Sequence, residues 1–163
     1  MRTLILTTPL AMAFASAAQA DDPAACGKFK WSLERERALF AAPQPVASGA
    51  GIAVGAGYRA TLVDATTLAF PAPPERATKP GKHGALLALR VDAAGAYDVT
   101  LSEEGWIDLA DHAQRVASAD FSGVKGCPGV RKSVRYELKP GDYTVQLSNA
   151  EADALDIAVV PAP

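Results

Sequence analysis

The chain has 163 residues, with 16 Lys and Arg against 18 Asp and Glu, and a formal charge of −2. That length suits one domain of ordinary size with a sizeable core. The mildly acidic balance lacks the electrostatic footprint of a nucleic-acid-binding protein, so no nucleic-acid partner is expected.

Residues 1–20 read as a cleavable secretory signal. Arg2 supplies a short positive start, residues 4–18 are apolar apart from small hydroxyl residues and Pro9, and Ala18-Gln19-Ala20 is a small-x-small cleavage site. Cutting there removes one cation, Arg2, and moves the formal charge from −2 to −3. Nothing later in the chain is apolar for the roughly 20 residues of a membrane helix, so no membrane span is expected. No cysteine directly follows the cleavage site, which argues against a lipid anchor. The expected location is periplasmic or secreted. The two cysteines, Cys26 and Cys127, would then meet an oxidising compartment, where an even pair is expected to form a disulfide rather than to serve as nucleophiles.

Residues 21–50 form an N-terminal arm and first edge segment, and 51–163 a β-sandwich domain. Within the arm, 21–30 is polar and contains Pro23 and Gly27. The following stretch, 31–42, fits neither structural period cleanly; its Glu34-Arg35-Glu36-Arg37 alternation is read as an extended edge segment. From Gly51 onward, Gly, Pro, Asn or Asp clusters recur at the spacing of an antiparallel sandwich. Strands are predicted over 51–54, 58–63, 68–70, 85–91, 96–102, 106–110, 115–121, 133–138, 143–148 and 155–160.

Three of these alternate cleanly. Tyr97, Val99 and Leu101 lie on one face against Asp98, Thr100 and Ser102; Val134, Tyr136 and Leu138 and then Tyr143, Val145 and Leu147 repeat the pattern. Such strands have one apolar and one wet face, and two sheets of them packed together make the simplest core. The expected fold is all-β: an antiparallel β-sandwich of jelly-roll or immunoglobulin-like type, with about eight or nine strands. The turns Ala93-Ala94-Gly95 and Lys139-Pro140-Gly141-Asp142 are predicted to close hairpins. The proline-rich stretch 71–84 is predicted to be a polyproline-like surface loop. One internal echo stands out: Gly95-Ala-Tyr-Asp-Val-Thr-Leu-Ser against Gly141-Asp-Tyr-Thr-Val-Gln-Leu-Ser.

Catalytic constellations are sparse. The chain has two histidines, His83 and His112, and with Glu103 as third ligand (Glu104 and Asp111 being alternatives) they would give the two-His, one-carboxylate set of a small metal-dependent oxygenase or hydrolase. No Gly-x-Ser-x-Gly elbow is present, and neither His is flanked by a group that orients it as a base. No catalytic residue and no cofactor are therefore assigned. Binding candidates are clearer. Trp106 and Asp108 would face outward from their strand, where the ring suits stacking on a sugar. Arg131 and Arg135, in a basic group with Lys125 and Lys132, suit an anion.

The order of motifs, Gly-x-Tyr-x-Val-x-Leu-Ser, Trp106-Ile-Asp-Leu, Phe121-Ser-Gly, Cys127-Pro-Gly-Val-Arg-Lys-Ser-Val-Arg-Tyr and the closing Gly141-Asp-Tyr-Thr-Val-Gln-Leu-Ser, resembles that of a group of small exported bacterial β-sandwich proteins of unknown function. The resemblance covers about residues 84–160. Some members are labelled homogentisate 1,2-dioxygenase, a much larger cupin-type enzyme that holds iron with two His and one Glu; the His-rich cupin motif is missing here. The strand rhythm is also similar to that of β-sandwich modules appended to secreted peptidases and glycan-binding proteins. The expectation is an exported, non-catalytic protein with a binding or envelope-associated role and a glycan or envelope partner. The metal-dependent enzyme and an accessory structural subunit are the alternatives.

Overall fold

The computed structural model describes residues 23–163; the signal sequence predicted over 1–20 lies outside the described residues. Two six-stranded sheets pack face to face. The first runs β1 (Gln44–Ala47), β3 (Gly57–Thr61), β12 (Ala154–Pro161), β6 (Gly95–Leu101), β10 (Lys132–Leu138) and β9 (Asp120–Gly123). The second runs β2 (Gly51–Ala53), β5 (His83–Val91), β11 (Gly141–Ala150), β7 (Trp106–Asp111) and β8 (Gln114–Val116), with β4 (Val63–Asp64) also on β5. The β-sandwich expected from the alternation is thus the observed fold. Its sheets are mixed, because the edge strands β1 and β2 pair parallel to β3 and β5. Pro45 sits in β1, where a missing N–H is tolerated on an edge.

The core follows the two-residue period. Tyr97, Val99, Leu101, Val134, Tyr136, Leu138, Leu155, Ile157 and Val159 from the first sheet meet Leu87, Leu89, Ile107, Leu109, Tyr143, Val145 and Leu147 from the second, all in one buried cluster. Each large aliphatic side chain so buried contributes roughly 1.5–3 kcal/mol.

Neither predicted hairpin forms. β5 and β6 lie in different sheets, as do β10 and β11, so both turns are arches that carry the chain across the sandwich. The echo explains how. Tyr97 Oη donates to the Ala93 carbonyl at 2.8 Å, and Tyr143 Oη donates to the Lys139 carbonyl at 2.9 Å. In each arch the tyrosine reaches back four residues and pins the corner, a device known from other β-sandwiches. Alternation specifies which face is apolar, but not which neighbour a strand takes.

The expected wet outer faces are also corrected. On the first sheet Asp98, Thr100 and Ser133 are fully buried although they point away from the core. The N-terminal arm covers them, held by the predicted Cys26–Cys127 disulfide, whose partners are 101 residues apart. Leu33, Cys127 and Val130, flanked by Phe29, Trp31 and Phe40, make a small second core there. The segment expected to be extended contains the helix α1 (Glu34–Phe40), built from good helix formers and lacking a side-chain N-cap bond. It packs on β3 and β12, and Gly57 makes this approach possible: a Cβ there would lie 2.5 Å from the Leu39 carbonyl oxygen.

On the second sheet Asp108, Gln146 and Ser148 are buried in the same way. Their cover is the proline-rich segment 69–82, which is a strap laid on the sheet rather than a free surface loop. Ala72 N–H donates to Gln146 Oε1 at 3.1 Å, Glu75 N–H to Asp108 Oδ2 at 3.1 Å and Lys79 N–H to Asn149 Oδ1 at 2.9 Å. Asn149 Nδ2 returns a bond to the Ala77 carbonyl at 3.2 Å. Proline prevents the strap from pairing as a strand, so its remaining N–H groups bond to side chains instead. Residues 68–70, predicted as a strand, lead into this strap, and the strand predicted over 115–121 divides into β8 and β9 on opposite sheets.

Candidate ligand-binding cleft

A cavity of about 440 Å³ opens between the β7–β8 edge of the second sheet and the β10–β9 edge of the first. β7 contributes Trp106, Ile107 and Asp108; β10 contributes Lys132, Val134 and Tyr136; the strap adds Glu75 and Arg76. Arg115 and Val116 come from β8, and Phe121 from β9. Phe121 lies opposite Val134 in the ladder but is 61% exposed, so it forms an apolar lip.

Trp106 organises the site. Its ring centre is 4.0 Å from the Arg76 guanidinium carbon and 4.1 Å from Lys132 Nζ. These are cation–π contacts from two separate elements, so the ring suggested for sugar stacking already packs against two cations. The indole N–H is buried and faces the Asp108 carboxyl without a well-aligned hydrogen bond, while the buried Gln146 Nε2 and Ser148 Oγ meet no partner among the described residues. Gln146 and Ser148 stand directly across from Asp108 and Trp106 in the β11–β7 ladder.

Burial pushes the Asp108 carboxyl above its ordinary range, opposed by hydrogen bonding from the Glu75 backbone N–H and, less strongly, from the Trp106 indole N–H. Burial pushes the Lys132 ammonium below its ordinary range; Glu104 opposes this, and Arg76 and Arg131 reinforce it. Lys132 Nζ donates to the Gly105 carbonyl at 3.4 Å, and Arg115 Nη1 to the Pro73 carbonyl at 3.4 Å. Among the described residues, ion pairs engage Arg59, Arg90, Arg131 and Arg135, but none engages Arg76, Arg115 or Lys132.

The four binding candidates from the sequence therefore separate. Trp106 and Asp108 share the cleft. Arg131 pairs with Glu104, and Arg135 pairs with Asp98 on the outer face of the first sheet, under the Trp31 ring at 4.3 Å. The histidines do not converge. His83 begins β5 opposite Ala150, whereas His112 lies in the β7–β8 turn beyond the Ala110–Thr144 pair, which places them roughly 20 Å apart along β11 at the rise of a strand. His112 is exposed with its Nδ1 2.7 Å from Asp111 Oδ1, and Glu103 is exposed beside β6. Among the described residues no group of three or more His, Cys, Asp or Glu is placed to hold a metal ion. Arg76 went unnoticed in the sequence because its meeting with Trp106 depends on where the strap lies, and Arg115 because its place at the cleft depends on β8 folding back beside β7.

No protein-family model and no curated protein sequence matches the chain. Among solved structures, the pre-peptidase C-terminal domain of collagenase from Bacillus anthracis aligns with 72% of this chain and 98% of that domain, at 11% identity and a TM-score of 0.40. The likeness assigns no residue of the cleft. No helix among the described residues is long and apolar enough to cross a membrane.

Proposed function

We propose that the chain is an exported, non-catalytic binding module whose ligand enters the cleft beside Trp106. The observation that carries this reading is the convergence on one concave site of Trp106, three cations without ion pairs among the described residues, and an apolar wall. Small-molecule sites typically combine an apolar lining with a few convergent polar groups at this size. The Cys26–Cys127 disulfide supports an oxidising compartment. The periplasm or the exterior is the proposed location, with an envelope-associated ligand. Trp106 and Asp108 are the ligand-facing members of the original candidate set.

Indole N–H resonances test the reading, since the chain has two tryptophans and Trp31→Phe assigns them. A panel of neutral glycans, acidic glycans and alkyl or acyl amphiphiles is titrated into the disulfide-intact protein. Saturable movement of the Trp106 resonance, lost in a Phe121→Glu variant that charges the lip, is the expected result. Binding that moves only Trp31, or turnover of a panel member, overturns it.

A further inference from the structure

We infer that the Trp106 cleft binds a small organic anion, an oxyanion head carried on an apolar body. This rests on the reading of the cleft as the ligand site and specifies what enters it. The first argument is charge. Arg76, Arg115 and Lys132 gather at one cavity of a protein with a net charge of −2, and none forms an ion pair among the described residues. Like charges brought together repel, and Lys132 is also partly desolvated. The nearest carboxylates, Glu104 and Asp108, act on Lys132 through space without forming an ion pair; Asp108 already accepts the strap N–H of Glu75, and Glu75 itself is exposed. An incoming oxyanion supplies the missing negative charge, and Arg is well suited to grip it.

The second argument is shape. Ile107, Val116, Phe121, Val134 and Tyr136 line the other side of the same cavity, which suits a hydrocarbon or aromatic body and gives a hydrated inorganic ion nothing to bury. A nucleic acid would need an extended basic face rather than three cations in a pocket. A neutral sugar would need a free aromatic face, and here Arg76 and Lys132 pack on the ring.

Carboxylate and phosphate heads share this chemistry, and the probes separate them. Decanoate, decyl phosphate, decanol and inorganic phosphate, each below any micelle-forming concentration, are titrated against the Trp106 indole resonance. At least one of the two anionic amphiphiles should bind about tenfold more tightly than decanol, and that preference should be lost in Arg76→Ala/Lys132→Ala. The arm that binds names the head group. Arg76 is exposed, and a thermal melt confirms that the variant folds. Lys132→Arg should retain the preference. Decanol binding as tightly as both anions overturns the inference yet leaves the cleft as the ligand site. Inorganic phosphate matching decyl phosphate removes the apolar half. Silence from all four probes overturns the inference, and the wider panel then decides the cleft itself.

Discussion

Arg135 grips Asp98 with two hydrogen bonds, Nε to Oδ1 at 2.7 Å and Nη2 to Oδ2 at 2.8 Å, and the Asp98 side chain has no exposed surface. The pair joins β6 to β10 on the outer face of the first sheet, and Trp31 of the arm lies over the guanidinium. A charge-assisted, two-pronged bond is the arrangement that makes a buried carboxylate tolerable.

Arg135→Met leaves that carboxylate buried without its partner, and the expected loss is about 3–5 kcal/mol of unfolding free energy. Replacing both, Asp98→Leu with Arg135→Met, removes the stranded charge and should recover most of the loss. Urea denaturation checks this; a double variant as unstable as the single one would show that the pair is not the cause.

Glu36 gives a pH prediction of definite sign. The residue is 2% exposed, and burial raises its pKa, with Asp98 adding to the rise against its own backbone N–H and the nearby arginines. The folded protein therefore holds the Glu36 proton more tightly than the unfolded chain does. Its ionisation on raising the pH through that elevated value costs stability. Glu36→Gln is expected to be more stable than the parent at neutral pH, with the advantage shrinking towards about pH 4, where both folded and unfolded carboxyls take up protons. Denaturation midpoints at the two pH values report it, and an equal gain at both would refute the electrostatic cause.

Removing the disulfide as Cys26→Ser/Cys127→Ser should cost roughly 2–5 kcal/mol, because the bond joins residues 101 positions apart. It should also free the arm that covers Asp98. Limited proteolysis under non-reducing conditions should then cut first within 23–40, and cleavage elsewhere would contradict the arm's role.

The two arches predict unequal tyrosine effects. Tyr97→Phe loses one bond, to the Ala93 carbonyl, whereas Tyr143→Phe loses a donated and an accepted bond with Lys139. At about 0.5–1.5 kcal/mol per bond, Tyr143→Phe should be the more destabilising in thermal melts. Equal or reversed losses would show that the corners are held by packing alone.

For the strap, Asn149→Gly keeps a residue able to adopt the observed φ of 56° but deletes the bonds to Lys79 N–H and the Ala77 carbonyl. Trypsin should cut after Arg76 faster than in the parent, while global stability falls by about 1–2 kcal/mol. Unchanged cleavage would mean that the Gln146 and Asp108 contacts suffice to hold the strap.

Local pattern and cysteine count were enough to read the sandwich, the apolar faces of Tyr97, Val134 and Tyr143 with their alternating neighbours, and the Cys26–Cys127 bond. Each depends on side-chain period or on redox chemistry, both of which are written residue by residue. Trp106 and Asp108 were likewise legible as unusual outward residues on a strand. Which sheet each strand joined, and so whether a turn was a hairpin or an arch, was settled only by tertiary structure, because an alternating strand presents the same apolar face to any partner. The same holds for the outer faces. Asp98 and Asp108 look like solvent-facing acids in the sequence. They are buried because a disulfide-tied arm and a proline strap, distant in the chain, each bury a polar face, and the strap brings Arg76 to the Trp106 ring.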